Sequence, residues 1–391
     1  MRPILKKSLY ITIPFLVFII PFLLGIAFVV VPFKLKIHSF SAGETLGMAI
    51  ANYKTFFNNK FRTKSLGQLK KSFALCYYDP SKAINEMDSY SWCVPNILTP
   101  FVGTGPEPGK HDNAYINSMQ FRSDKEISVS KPKNVFRILI TGGSAAYGSG
   151  APSQDSTLGG YLNKILNSEL SFSTKKKYEV YTLANPAWTS THEMIIIETR
   201  LAKLNPNIVI SFSGNNDVHW GLSGHNIDCF RSYADQHYWN IIQSVYKLAG
   251  YGYQHDIIKI ASSSIPPDVV ASRLVDNIKL ASFTLSLNQA RYVFILQPTL
   301  YVTSKALSPH EKEMRNIQYE KYFSQCYQDI KQKLHKLNIS NLTFIDESDA
   351  FKGLTSNDCI FIDSYHYGDR GTEFIAKKIF KDMRNIISQE Q

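Results

Sequence analysis

The chain has 391 residues, of which 44 % are hydrophobic, and its 43 Lys and Arg against 32 Asp and Glu give a formal net charge of +11. This length suits one large domain or two smaller ones, with enough apolar residues for a sizeable core. The positive charge favours anionic partners such as a lipid surface, an acidic polysaccharide or nucleic acid. Because the basic residues are scattered and form no long run, we expect general surface charge and no nucleic-acid partner.

The cysteines do not form a metal-binding pattern. None of the five belongs to a CxxC pair, which argues against a zinc knuckle. Cys76 and Cys93 lie in one loop-rich stretch and could form a local disulfide if the domain lies outside the cytoplasm; unpaired thiols are the alternative. The odd count leaves at least one cysteine free or paired between chains.

Residues 9–33 form an apolar stretch near the N-terminus, interrupted by a few prolines and hydroxyl side chains. About 25 residues in a helix exceed the roughly 30 Å of bilayer hydrocarbon, so we expect a single-pass transmembrane anchor. A cleaved signal peptide is the alternative, but its apolar core would be shorter and no A-x-A site follows. Positive charges flank both ends nearly equally. The short N-terminus favours a cytoplasmic start and an extracytoplasmic remainder.

The rest of the chain divides into two parts. Residues 41–130 are rich in turn formers and are expected to be a lead-in region that packs on a main domain at 131–391, with 1–40 forming the anchor and its flanks. From about residue 135, apolar runs of strand length alternate with amphipathic helical patterns. The predicted strands are 135–140, 178–183, 208–212, 292–296 and 342–345. The predicted helices lie near 158–168, 190–204, 271–289 and 309–337, with a last one after Gly368.

Alternating strands and helices predict an α/β fold whose parallel sheet is covered on both faces. Such sheets bind ligands beyond the carboxyl ends of their strands. The first such end carries Gly142, Gly143 and Ser144. Two glycines permit a sharp turn that exposes the serine hydroxyl near outward-pointing backbone N–H groups. Taken alone, this serine could equally be a helix N-cap, and the turn could hold a phosphate.

Three further turns complete the pattern. Ala187 and the residues up to Ser190 follow the second strand, and Gly214, Asn215, Asn216 and Asp217 follow the third. Taken alone, each could be a helix start or a polar turn. The joint occurrence, in this order, favours a catalytic site in which an amide serves a developing oxyanion.

The last turn, which precedes the final helix, carries Asp363 and His366. Their spacing lets the carboxylate hold one imidazole nitrogen while the other takes a proton from a serine. Read alone, the histidine could be a surface residue capping the next helix. His192, His219, His225 and His237 lack metal-ligand spacing such as HxxxH. We therefore interpret them as cleft or structural residues and expect no metal.

These turns resemble the motifs of the SGNH (GDSL-like) hydrolase family. The family's Gly-Asp-Ser is matched at its first and third positions by Gly142 and Ser144, and its Gly-x-Asn-Asp and Asp-x-x-His are matched fully at 214–217 and 363–366. The lead-in at 115–122 resembles that of membrane-tethered bacterial members. The resemblance spans roughly 135–390. It implies a three-layer α/β/α sandwich with a flavodoxin-like sheet.

The resemblance also implies roles for individual residues. Ser144 would be the nucleophile, His366 its base and Asp363 the group that orients the imidazole. The N–H groups of Ser144 and Ala187 and the Asn216 amide would form the oxyanion hole, supported by Gly143, Gly214 and Asp217. This chain departs from the family at Gly143, where Asp is usual, and at Ala187, where Gly is expected. Alanine keeps the N–H, so the hole depends on whether the backbone there accommodates a Cβ.

We therefore expect a cofactor-independent serine ester hydrolase at the cell envelope. An acylated glycan is the expected substrate, with a lipid ester second. An O-acyltransferase with the same triad, and a non-catalytic glycan-binding protein on the same fold, are the alternatives. A nucleotide or phosphate binder is disfavoured because the turn after the first strand lacks the GxxxxGK[ST] pattern. The sequence does not indicate an oligomeric state.

Overall fold

A computed structural model of the chain describes residues 66–224, 249–250 and 263–390. The predicted anchor at 9–33 lies outside these residues, as do His225, His237 and Cys229. Within the described ranges, no helix is both long and apolar enough to cross a bilayer.

The lead-in region contains short elements. Asp79 caps a helix that starts with Pro80, since its side chain accepts a hydrogen bond from the N–H of Lys82 and proline fits a first helical turn. Two antiparallel hairpins follow. The elements are α1 (Leu66–Ala74), α2 (Pro80–Glu86), β1 (Asn96–Thr99), β2 (Gly103–Pro106), β3 (Gly109–His111) and β4 (Ala114–Ile116).

The main domain is built on a parallel sheet of five strands in the order β6-β5-β7-β8-β9. Its strands are β5 (Val135–Gly142), β6 (Lys177–Thr182), β7 (Ile208–Ser213), β8 (Arg291–Leu296) and β9 (Leu342–Asp346). All positions of β5 and β7 are buried, as expected for central strands covered on both faces. Counted along the main domain, the order is 2-1-3-4-5, that of flavodoxin-like sheets, with a switch point between β5 and β7.

Helices cover both faces of the sheet. They are α3 (Ser144–Tyr147), α4 (Leu158–Glu169), α5 (Ser171–Thr174), α6 (Ser190–Thr199), α7 (Asn215–Leu222), α8 (Pro267–Leu287), α9 (Pro309–Glu313), α10 (Ile317–His335) and α11 (Asp369–Gln389). Helices α4 and α11 share one hydrophobic cluster with the lead-in region. Helices α6, α8 and α10 share the other. The predicted α/β fold, with a parallel five-stranded sheet flanked by helices, is confirmed.

The helix boundaries differ most from the prediction in two places, and the helix predicted near 271–289 begins four residues earlier, at Pro267. The predicted helix at 309–337 is two helices, because Asn316 adopts an extended backbone and its side chain accepts hydrogen bonds from the N–H groups of Gln318 and Tyr319. The predicted helix at 190–204 ends at Thr199, and a 3-10 turn, Leu201–Leu204, follows. At Asn316, local capping chemistry overrides an otherwise continuous amphipathic pattern.

A disulfide joins the lead-in region to the main domain. It bonds Cys76 to Cys359, with the Cα atoms 4.6 Å apart. The local pairing of Cys76 with Cys93 is therefore wrong. The physical reason is packing: the end of α1 lies against the chain before α11, so that the Cys76 carbonyl occupies the space of a side chain at Gly368. Cys326 is buried within α10.

Candidate active site

The nucleophile candidate lies on a sharp turn at the end of β5. Gly142 has a φ of +150°, and a Cβ there would lie 2.4 Å from the carbonyl oxygen of Phe212. Only glycine fits this position. Gly143 is the N-cap of α3, and Ser144 is the first residue of that helix. The half-buried Ser144 side chain thus lies at the carboxyl edge of the sheet, next to the switch point.

Ser144, His366 and Asp363 form one hydrogen-bonded chain. The His366 Nε2 atom lies 2.7 Å from Ser144 Oγ, and its Nδ1 atom lies 2.7 Å from Asp363 Oδ2. The other carboxylate oxygen of Asp363 accepts the N–H groups of Tyr365 and His366 at 2.8 and 2.9 Å. The structure therefore brings Ser144 into contact with His366, which lies 222 positions further along the chain.

The charges of this chain reinforce one another. Burial disfavours a charged Asp363, but the charge and hydrogen bond of His366, together with two backbone N–H groups, hold the pKa of that carboxyl below its usual range. Burial also acts to lower the pKa of His366, but Asp363 outweighs it and raises the pKa of the imidazole. The imidazole is therefore a stronger base than an isolated histidine and is suited to take a proton from the serine.

The oxyanion-hole candidates converge on the same edge. Asn216 Nδ2 donates to the Trp188 carbonyl at 2.7 Å, and Asn215 Nδ2 donates to Asn216 Oδ1 at 3.2 Å. These bonds orient the Asn216 amide and leave its second N–H proton for another acceptor. Within the described residues, the backbone N–H groups of Ser144 and Ala187 form no hydrogen bond. Three donors are thus available near the serine.

Ala187 adopts a left-handed backbone conformation, with a φ of +70°. The departure from the expected glycine is therefore accommodated, at a cost of about 1 kcal/mol. The neighbouring turn holds the strained residue in place. The Trp188 N–H donates to the Asn185 carbonyl, and the buried Trp188 indole N–H donates to Thr104 of β2 at 3.1 Å.

The other departure also has a structural counterpart. A Cβ at Gly143 would lie 2.2 Å from Asn216 Nδ2, closer than side chains tolerate. The amide of Asn216 therefore packs directly over the backbone of residue 143, in the space that a side chain would take. In this chain, glycine at 143 and the position of the Asn216 amide are linked.

A buried polar network supports the turn that contains Asn216. Gly214 is the N-cap of α7, and Asp217 accepts the backbone N–H of Ser190 at 3.0 Å and the Ser190 hydroxyl at 2.5 Å. Burial raises the pKa of Asp217 despite these bonds. Asn277 of α8 donates to the same Ser190 hydroxyl. Asp217 thus joins the start of α6 to α7. Its hydrogen bonds go to Ser190 and not to Ser144, His366 or Asp363.

Sequence reasoning missed the residue that contacts the C-terminal end of α3, the helix that begins at Ser144. Arg122 Nη1 donates to the carbonyls of Tyr147 and Gly148, both at 2.9 Å, and the guanidinium lies 4.6 Å from the Tyr147 ring centroid. Arg122 is buried and its backbone N–H donates to Thr182 of β6. A cation at a helix C-terminus is favourable. The only signal in the sequence was its place in the lead-in motif.

Of the four histidines predicted to be cleft or structural residues, the structure describes His192 and His219. His192 is buried, caps the start of α6 through Thr189 and stacks on Trp188. His219 lies on α7, where its Nδ1 is 3.1 Å from the Tyr365 hydroxyl. Among the described residues, no group of three His, Cys, Asp or Glu side chains could hold a metal ion.

A very small cavity of about 10 Å³, open to solvent and with room for about one water molecule, lies beside His366. Small side chains line most of it: Ala145, Ser149, Ala151 and Thr372, with the backbone of Gly148. Tyr367 forms one wall, and its hydroxyl donates to the Pro298 carbonyl. The structure on this side of the imidazole is therefore closely packed.

Comparisons with known proteins add little to this geometry. No family model and no curated protein matches the sequence. Solved structures with similarity include TesA (13 % identity, 64 % of this chain and 98 % of that chain, TM-score 0.37) and a GDSL-like lipase from Bacteroides thetaiotaomicron (12 %, 64 % and 88 %, TM-score 0.33). An acetylxylan esterase from Geobacillus stearothermophilus is also similar (12 %, 63 % and 94 %, TM-score 0.36). All three TM-scores lie below 0.5.

Proposed function

We propose that this chain is an SGNH-type serine ester hydrolase that removes O-acyl groups at the cell envelope. The observation that carries the proposal is the hydrogen-bonded chain from Ser144 through His366 to Asp363, with both links at 2.7 Å. A protein that only binds a glycan has no need of a base aligned on a serine. The orientation of the Asn216 amide and the free N–H groups of Ser144 and Ala187 give further support.

The reaction follows from the positions of these groups. Ser144 Oγ attacks the ester carbonyl and passes its proton to His366 Nε2, while Asp363 stabilises the imidazolium. The oxyanion accepts hydrogen bonds from the N–H groups of Ser144 and Ala187 and from Asn216 Nδ2. Collapse of the intermediate expels the alcohol, which takes the proton from His366. Water, deprotonated by His366, then releases the acyl group and regenerates the serine. No cofactor takes part in these steps.

The proposed substrate is a glycan that carries an acyl ester, with a lipid ester as the alternative. The formal net charge of +11 favours an anionic surface or polysaccharide. The Cys76–Cys359 disulfide favours an extracytoplasmic location, and residues 9–33 are the proposed single-pass anchor.

The test is hydrolysis of nitrophenyl acetate by purified protein with and without Ser144→Ala. We expect the variant to lose activity and to keep its circular dichroism spectrum. Ser168→Ala, which changes an exposed hydroxyl on α4, is the matched control and should keep full activity. Unchanged activity in Ser144→Ala would refute the nucleophile assignment.

A fluorophosphonate probe addresses the same serine without a substrate. We expect one adduct, located at Ser144 by peptide mass spectrometry. The absence of an adduct in folded protein would support the non-catalytic alternative. Release of free acid against transfer to an added oligosaccharide, measured on an acetylated glycan, would distinguish a hydrolase from an acyltransferase. Faster cleavage of nitrophenyl palmitate than of the acetate would support the lipid ester.

A further inference from the structure

A buried ion pair lies under the segment that carries Asp363 and His366. The side chains of Lys305 and Glu311 are both fully buried, and Lys305 Nζ lies 2.7 Å from Glu311 Oε2. The same carboxylate oxygen accepts the N–H of Ser308 at 2.8 Å. Burial acts to raise the pKa of Glu311, but Lys305 and three backbone N–H groups hold it below the usual range. Glu311 is therefore charged at neutral pH.

The second oxygen of Glu311 reaches the catalytic hairpin, which we define as residues 360–367. Glu311 Oε1 accepts the N–H groups of Ile360 and Phe361 at 2.9 and 3.0 Å. The neighbouring His310 Nε2 lies 2.9 Å from the carbonyl oxygen of Ile362. Three consecutive residues at the base of the hairpin are thus held by α9.

The tip of the hairpin carries the two catalytic side chains. The Ile362 N–H donates to the His366 carbonyl at 2.9 Å, and Phe361 and Tyr367 form an antiparallel bridge. Because these bonds fix the tip relative to its base, a shift at residues 360–361 would carry His366 with it. The 2.7 Å contact between His366 and Ser144 spans two separate parts of the chain and depends on this alignment.

Stability alone does not require such a pair. Replacing a buried ion pair by apolar residues of similar volume is often neutral or stabilising, because desolvation of the two charges offsets their attraction. What apolar residues cannot supply is an acceptor for two adjacent buried N–H groups. The functional role of the pair must therefore lie in the Glu311 oxygen that accepts the N–H groups of residues 360 and 361.

We propose that Glu311, oriented by Lys305, is a positioning residue that fixes the base of the catalytic hairpin and so holds His366 within hydrogen-bond reach of Ser144. This inference rests on the proposed function, because it concerns the same reaction. Glu311 does not touch the reacting atoms and acts through the backbone of residues 360–361.

The test compares two double variants that differ only in the acceptor. Both carry Lys305→Met, which removes the ammonium; one adds Glu311→Gln and the other Glu311→Leu. Glutamine keeps an oxygen for the N–H groups of residues 360–361, whereas leucine has a similar size and no acceptor. Turnover of nitrophenyl acetate is measured per folded protein, with the folded fraction taken from circular dichroism, so that unfolded protein does not enter kcat.

We expect the glutamine variant to keep kcat within a few-fold of the wild type. The leucine variant should lose about 10- to 100-fold in kcat, since misplacement of a catalytic group by about 1 Å costs up to about 100-fold. KM should stay within about twofold in both. Equal kcat values for the two variants would overturn the proposal, because the acceptor would then serve only stability.

Two further variants separate an effect on stability from an effect on kcat. Glu179→Gln breaks the ion pair with the buried Arg137 at the opposite edge of the sheet and should lower the melting temperature without changing kcat. Glu311→Asp retains the charge but draws the carboxylate back; it replaces the double variants if these fail to fold, and a wild-type kcat would overturn the proposal. Full activity in Ser144→Ala would instead refute the proposed function.

Discussion

Gly143→Ala offers a sharp test of the proposed oxyanion hole. The backbone of Gly143 has φ −85° and ψ −153°, which lies near the edge of the extended region and has the negative φ that alanine prefers. The added Cβ would nevertheless lie 2.2 Å from Asn216 Nδ2, whereas real side chains stay at about 3.0 Å or more. The substitution therefore acts on the position of one amide and leaves the local backbone intact.

The magnitude follows from that distance. Opening the contact from 2.2 Å to about 3.0 Å moves the amide by almost the 1 Å that costs about 100-fold in rate. Loss of one oxyanion donor has a similar effect, about 100- to 1000-fold in kcat. We expect kcat of Gly143→Ala to fall about 100-fold, equivalent to about 2.7 kcal/mol of transition-state stabilisation. KM should change little, since the interaction forms in the transition state.

Steady-state hydrolysis of nitrophenyl acetate measures this effect. Gly67→Ala is the matched control, because a Cβ there meets nothing within 4 Å. The double variant with Asn216→Ala should be no slower than Asn216→Ala alone, since both changes remove the same donor. A kcat within twofold of wild type in Gly143→Ala would refute the assignment of Asn216 to the oxyanion hole.

Two other substitutions test the remaining groups of the site. Asp363→Asn should lower kcat by about 10⁴-fold through the wrong imidazole tautomer. Because Asp363 raises the pKa of His366, the loss of residual activity on acidification should move to lower pH, as a pH profile of kcat/KM would show; an unmoved acid limb contradicts this electrostatic role. Ala187→Gly should relieve the strain of a φ of +70° and raise the free energy of unfolding by up to about 1 kcal/mol, with kcat unchanged. Urea unfolding measures the gain, and a loss of activity would mean that the Cβ fixes the hole.

The sequence predicted the main-domain strands well because each is a local signal. Strands such as β5 and β7 are buried along their whole length and therefore read as continuous apolar runs. The contact between Asp363 and His366 was also predictable, since three residues of spacing within one turn place the two side chains together.

Contacts between distant residues were not predictable in the same way. The Cys76–Cys359 disulfide was missed because five cysteines allow many pairings, and sequence proximity favoured the wrong one. The roles of Arg122 and of the Lys305–Glu311 pair were missed as well. Charged residues are normally exposed. Ser308 and Glu311 do have the spacing of a capping box, but that pattern indicates a helix start and does not indicate burial against Lys305 or residues 360–361.

The amino-acid sequence by itself determined the alternation of strands and helices and the order of the polar turns. Hydrophobic periodicity and turn chemistry act over a few residues, so both are written locally. Only the tertiary structure decided that Ser144 meets His366, that Ala187 takes a left-handed conformation and that Asn216 fills the space beside Gly143. These contacts depend on how the parallel strands align at one edge of the sheet. Apolar runs in the sequence indicate that a strand is buried, but they do not indicate which strand lies beside it.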